Sequence, residues 1–140
     1  MTTIRLVLAL ALGLLILPAR PAAADHHEHF LKCAKACAAC QIECDACFVH
    51  CKNLLAEGKK EHAKTVQTCA DCAQVCSVAN QLSARGSPYA FHICEPCAKV
   101  CDDCAAACEK FPDDKHMAAC AKECRNCAKE CREMLKHGRP

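Results

Sequence analysis

The sequence predicts an all-α fold, an antiparallel up-down-up-down four-helix bundle with a cysteine-lined core. Three observations predict it. First, the 18 cysteines recur in alternating steps of three and four, the spacing of one face of a helix. They form four groups: Cys33, Cys37, Cys40, Cys44, Cys47 and Cys51; Cys69, Cys72 and Cys76; Cys94, Cys97, Cys101, Cys104 and Cys108; Cys120, Cys124, Cys127 and Cys131. Second, glycine and proline signals separate the groups by short connections, which place consecutive helices antiparallel. Third, no segment carries the period-two alternation of a strand.

Residues 1–24 read as a cleavable signal peptide outside the fold. Arg5 supplies a basic start, Leu6 to Leu17 an apolar run, and Ala22, Ala23 and Ala24 an A-x-A cleavage signal before Asp25. The run is about twelve residues, short of the roughly 20 that a spanning helix needs. No cysteine near the cleavage point offers a lipid attachment site, and no Arg-Arg pair marks export in a folded state. The expected mature chain, residues 25–140, is one small exported domain, periplasmic or secreted, with no membrane association after cleavage.

Helix 1 is expected from about His26 to Ala56, stopped by Gly58, and helix 2 from about Glu61 to Arg85, stopped by Gly86. Ser87 and Pro88 read as an N-cap followed by proline at the first helical position, starting a helix 3 that ends near Phe111. Asp113 or Asp114 is placed to cap helix 4, which runs to about His137. Pro96, between Cys94 and Cys97, breaks the pattern. Its ring would meet the carbonyl of His92, so a kink is expected there, or a regular helix starting only near Glu95.

Composition narrows the function. The mature part carries 16 basic and 16 acidic residues, a balance that calls for neither nucleic acid nor an anionic membrane. Only twelve Leu, Ile and Val residues follow residue 24, fewer than the cysteines. The sulfurs must therefore take part in holding the fold together.

Sixteen of the cysteines form C-x-x-x-C pairs, and residues i and i+4 share a helix face one turn apart. Two thiolates so placed can hold one soft ion, and Cu(I) suits thiolates. Charge separates the candidate metals. One Cu⁺ per thiolate leaves a neutral core, whereas Zn²⁺ with four thiolates carries two negative charges, costly when repeated in a buried interior. The expected capacity is on the order of one Cu(I) per cysteine, ~15 to 20 ions per chain. The C-x-x-C spacings lack the turn glycines of zinc knuckles, and the ferredoxin iron–sulfur spacing is absent. A disulfide framework competes, because an exported chain with an even cysteine count invites it. Against it, such scaffolds are loop-rich, and packed helices lie 8–10 Å apart, beyond a disulfide's usual reach. A thiol–disulfide redox protein would need one or two distinct reactive cysteines, and a copper chaperone only one or two sites.

The C-A-x-x-C and C-x-x-C-A repeats on all four helices, with Ala84-Arg85-Gly86-Ser87 before helix 3, resemble the cysteine-rich four-helix-bundle copper storage proteins. The resemblance covers nearly all of residues 25–140. It implies Cu(I) held by the 18 cysteine thiolates inside the bundle, no enzymatic activity, and a homotetramer. Family members carry His-Cys near the end of helix 1 and a methionine three residues before the first cysteine of helix 4, matched by His50-Cys51 and Met117. Their exported members use a twin-arginine leader, from which this one departs.

Extending the cysteine register sorts the remaining soft ligands. At the end made by the helix 1–2 and 3–4 connections, Cys51, His62 and Met117 fall on the seam, with His50 and His116 beside it. At the other end the seam offers His26, Phe30, Ser83, Ala90 and Met134. Methionine is a soft, exchangeable Cu(I) ligand, so the first end is the expected mouth. His27, His29, His92 and His137 read as surface residues.

Overall fold

The computed structural model describes residues 22–137, with side chains from His27 onward. The expected leader lies almost wholly outside the described residues. Four helices follow in order: α1 (Ala22–Ala56), α2 (Ala63–Ala84), α3 (Ala90–Cys108) and α4 (Lys115–Lys136), with a 3-10 turn at Lys60–His62 leading into α2. There is no strand among the described residues. Each helix packs against its neighbour in the chain, and α1 also packs against α4. The bundle is thus a square in which α1 faces α3, and α2 faces α4, across the core.

Local chemistry sets the helix ends. Gly58 and Gly86 have positive φ, 90° and 60°, which glycine adopts without a Cβ clash. Each allows the last carbonyls to be used: Gly58 N–H donates to Leu55 O and Lys59 N–H to Leu54 O, and the same pair runs from Gly86 to Ser83 and from Ser87 to Leu82. Asp114, rather than Asp113, caps α4, its carboxylate accepting from the backbone N–H of His116 at 3.0 Å and of Met117 at 3.2 Å.

Three boundaries differ from expectation, one being the end of α3, at Cys108 and not near Phe111. α1 begins at Ala22, so the helix runs through the expected cleavage point. α3 begins at Ala90, because Ser87 closes a turn instead of an α-helical first turn: its Oγ accepts from Tyr89 N–H and its carbonyl from Ala90 N–H. Pro96 does not break α3, which is continuous from Ala90 to Cys108, and Cys94 is fully buried. Pro96 and His92 are both on the exposed side. Water can satisfy the carbonyl that the proline leaves without a donor, while Cys94 and Cys97 keep the inner face packed.

The core inverts the usual arrangement. Every cysteine is buried at 1% exposure or less, while Val66, Val75, Leu82, Ile93, Val100 and Leu135 are only partly buried around the sulfur column. Alanines beside the stripes, among them Ala73, Ala98, Ala105 and Ala128, let the helices approach closely. Thiols pack as small apolar groups, so the column serves as the core. On the outside, Arg125 pairs with Asp102 and Glu109, and Arg132 with Asp102, tying α3 to α4.

Candidate metal centre

The four stripes meet as one continuous column of sulfur. From the Met134 end, Cys33 Sγ is 3.6 Å from both Cys94 and Cys131, and Cys37 is 3.7 Å from Cys131 and 3.5 Å from Cys127. Cys127 is 3.8 Å from Cys76, which is 3.5 Å from Cys101; Cys101 is 3.6 Å from Cys72. The column continues through Cys40, 3.6 Å from Cys124, and Cys44, 3.6 Å from Cys124 and 3.7 Å from Cys120. Cys69 then lies 3.7 Å from Cys104 and 3.9 Å from Cys120, and Cys47 lies 3.8 Å from Cys51. The facing helices are joined by sulfur: Cys33 to Cys94 and Cys40 to Cys101 span α1 and α3, and Cys76 to Cys127 and Cys69 to Cys120 span α2 and α4.

All 18 cysteines are free thiols. The separations are nearly twice the ~2.05 Å of a disulfide bond. They do bring four sulfurs at a time within 4.8 Å of one another, as in Cys37, Cys97, Cys127 and Cys131, in Cys40, Cys72, Cys76 and Cys101, and in Cys47, Cys69, Cys108 and Cys120. Several sulfurs belong to more than one group; Cys40, for example, also joins Cys44, Cys72 and Cys124. Shared sulfurs fit bridging thiolates on neighbouring ions better than separate, closed sites.

The electrostatics follow from burial and from the chain of thiols. Contacts with Cys104, Cys120, Cys40 and Cys44 push Cys124 far above the ordinary thiol range, and contacts with Cys101, Cys131, Cys37 and Cys40 do the same to Cys127. Cys104, a partner of Cys124, is pulled below that range, first by Cys108. At the ends of the column the picture is simpler. Burial, then the neighbouring Cys47 thiol and the Asp114 carboxylate, push Cys51 up to about 12. Cys131 pulls Cys94 down, but its contact with Cys33 and its burial outweigh that and raise it to about 12.

The two ends differ in chemistry. At one, Cys51 and Met117 are fully buried and His62 is 6% exposed. His62 Nδ1 is buried with no hydrogen-bond partner among the described residues, and its ring packs on Phe111 at 4.3 Å. Beside it, His50 Nε2 lies 2.7 Å from Asp114 Oδ2, and the His50 ring stacks on His116 at 4.5 Å. A buried imidazole nitrogen without a partner, at the same end of the bundle as a buried thioether and a buried thiol, belongs to a donor set suited to a soft ion. At the other end Phe30, Ser83, Ala90 and Met134 are all buried, with Phe30 and Phe91 edge to face at 5.5 Å. His27, His92 and His137 are exposed and His29 partly so, His29 stacking on His137.

Sequence reasoning placed the cysteines, His62 and Met117 on the seam; the structure brings the cysteines together and buries His62 and Met117 at one end of the bundle. It missed Thr65, 1% exposed, which the register reaches four residues before Cys69. It also missed Asp114 as a partner of His50, a pairing between α1 and the α3–α4 connection that no periodicity signals.

The comparisons with known proteins agree with this geometry. A family model described as copper storage protein matches residues 26–136. The chain belongs to the copper storage protein family. Among solved structures of the family, the Cu(I)-bound copper storage protein BsCsp3 of Bacillus subtilis is 34% identical, with a TM-score of 0.67 over 74% of this chain and 94% of that one. The copper storage protein Ccsp of Streptomyces lividans, loaded with 10 copper equivalents, is 26% identical, with a TM-score of 0.74 over 88% and 95%. A structure of copper loading to a cytosolic copper storage protein of the same organism, with five coppers, is 27% identical, with a TM-score of 0.73 over 81% and 97%. No curated protein sequence matches this chain. Among the described residues, no helix is long and apolar enough to cross a membrane.

Proposed function

We propose that this copper storage protein holds many Cu(I) ions on the thiolates of its 18 cysteines and acts as a store, not as an enzyme. The observation that carries the reading is the column of buried free thiols, with neighbouring sulfurs 3.5–4.0 Å apart along most of it and within 4.8 Å where Cys47 and Cys108 meet Cys69 and Cys120. A substrate has no approach to an undifferentiated, fully buried set, whereas a monovalent soft ion entering the column leaves it neutral. Titrating reduced protein with Cu(I) against a competing chelator tests the reading. Binding on the order of one ion per cysteine is expected; saturation at one or two ions, or equal preference for Zn²⁺, would sink it.

The mouth belongs to the same proposal. Cys51, His62 and Met117, with His50 alongside, receive and release copper at the end made by the α1–α2 and α3–α4 connections. The partnerless His62 Nδ1 supports that assignment.

The leader supports export of residues 25–140 to the periplasm or beyond, and the mass of the protein recovered outside the cytoplasm tests the cleavage before Asp25. Ile42 and Val49, seven residues apart on α1 and 66% and 49% exposed, support self-association into a homotetramer. Light scattering of wild type and of an Ile42→Lys variant reads it.

A further inference from the structure

The column of thiols has to end, and the end away from the mouth is built unlike the rest. One residue from each helix forms its last layer: Cys33 from α1, Ser83 from α2, Cys94 from α3 and Met134 from α4. All four are buried at 1% exposure or less. Met134 continues the α4 stripe in register, three residues after Cys131, as Ser83 continues that of α2, seven residues after Cys76. The Ser83 hydroxyl lies 3.7 Å from Cys33 Sγ, 3.7 Å from Cys94 Sγ and 4.0 Å from Met134 Sδ, so this layer gathers two thiols, a thioether and a hydroxyl.

We propose that this layer is a mixed-donor Cu(I) site, with Met134 as a thioether ligand beside the Cys33 and Cys94 thiolates. The inference rests on the copper-store reading above.

Two arguments favour a ligand over a plug. The plug is already present: Phe30 and Phe91 meet edge to face just beyond this layer. And an apolar side chain would seal this end without needing a partner, whereas a buried hydroxyl has to be bonded. The hydrogen bonds that the structure gives Ser83 Oγ, which is fully buried, all go to the three sulfurs.

Charge explains why the donors change here. Inside the column each thiolate is shared between ions, and one Cu⁺ per thiolate keeps the interior neutral. At the terminus sharing stops, and a further thiolate would add a buried negative charge with nothing beyond it to neutralise it. A thioether completes the coordination of the last ion without adding charge, and the hydroxyl can donate to the thiolates that are least shared. The same logic places His62 and Met117 at the mouth, so both ends of the column finish in neutral donors.

Selenomethionine labelling tests this directly, because Met134 is the only methionine besides Met1 in a Met117→Leu variant. The labelled variant is loaded with Cu(I) under anaerobic conditions and examined at the selenium absorption edge. A copper neighbour in the first shell of selenium is expected. A shell of carbon alone, in protein that carries its full copper load, overturns the inference and leaves the storage reading standing. Wild type that takes up no copper overturns both. Should Met117→Leu fold poorly, labelled wild type is compared with labelled Met134→Leu. Loss of one selenium–copper contact per chain supports the site, and an unchanged number overturns it.

Discussion

Asp114 shows how much one residue at the proposed mouth has to do. Its carboxylate caps α4 through two backbone N–H groups and also pairs with His50 on α1, which fixes the first turn of α4 and with it Met117. Burial pushes the carboxyl up, but the His50 bond and the cap bonds outweigh it, and the net shift is below the ordinary value of 3.8. A carboxylate lowered in the folded state stabilises fully above its unfolded value and loses that contribution as pH falls through the folded one. Asp114→Ala should therefore cost about 1–2 kcal/mol at neutral pH in urea unfolding, and the gap from wild type should close as the pH is lowered below 3.8. His62 makes a different prediction. Replacing it by alanine should slow copper uptake in stopped-flow mixing while changing the final load by no more than one ion. An unchanged uptake rate would move the mouth to the other end. His62 and Met117 were legible because a helical register extends past the last cysteine; the His50–Asp114 pair was not, because it depends on where a connection folds back.

At the scale of the helices, α2 is the uneven wall. It supplies three cysteines, and its stripe continues through Thr65, Ala79 and Ser83, each buried at 1% or less. Ala79 lies on that stripe between Cys76 and Ser83, so Ala79→Cys should add about one Cu(I) per chain in a chelator-competition titration, consistent with soft-ligand preference. The added sulfur should cost the apo protein about 1–3 kcal/mol or less, as overpacking does. Pro96 is the other test. Because a proline inside a helix costs a backbone hydrogen bond, Pro96→Ala should stabilise the fold by about 1–3 kcal/mol and leave copper capacity unchanged. A loss of capacity would show that the proline shapes the site of Cys94. The helices themselves could be read from the sequence because cysteine is both the core residue and the proposed ligand here, so one periodicity reported both. The start of α3 could not, because Ser87 and Pro88 suit a turn as well as a helix cap, and the packing of Ala90 and Phe91 against the core decides between them.

For the whole molecule, copper and protons compete for one column. The folded apo protein holds Cys51 and Cys94 protonated up to about 12, against an ordinary value of 9.0. The unfolded chain has no such constraint and ionises these thiols from 9.0 upward. Between the two values the unfolded state binds fewer protons than the folded one, so stability falls as pH rises, by about 1.4 kcal/mol per pH unit for each such thiol. Copper reverses the balance. Each Cu⁺ displaces a thiol proton on loading, so uptake at neutral pH should release about one proton per ion, and affinity should weaken as the pH is lowered. Once loaded, the column has no thiol protons left to lose, and the bound ions stabilise the fold by mass action. Apo protein should therefore unfold progressively above pH 9 when followed by circular dichroism, while the Cu(I)-loaded protein should keep its helices to higher pH and melt at higher temperature. If both forms unfold along the same alkaline curve, the copper is not bound in the column of buried thiols.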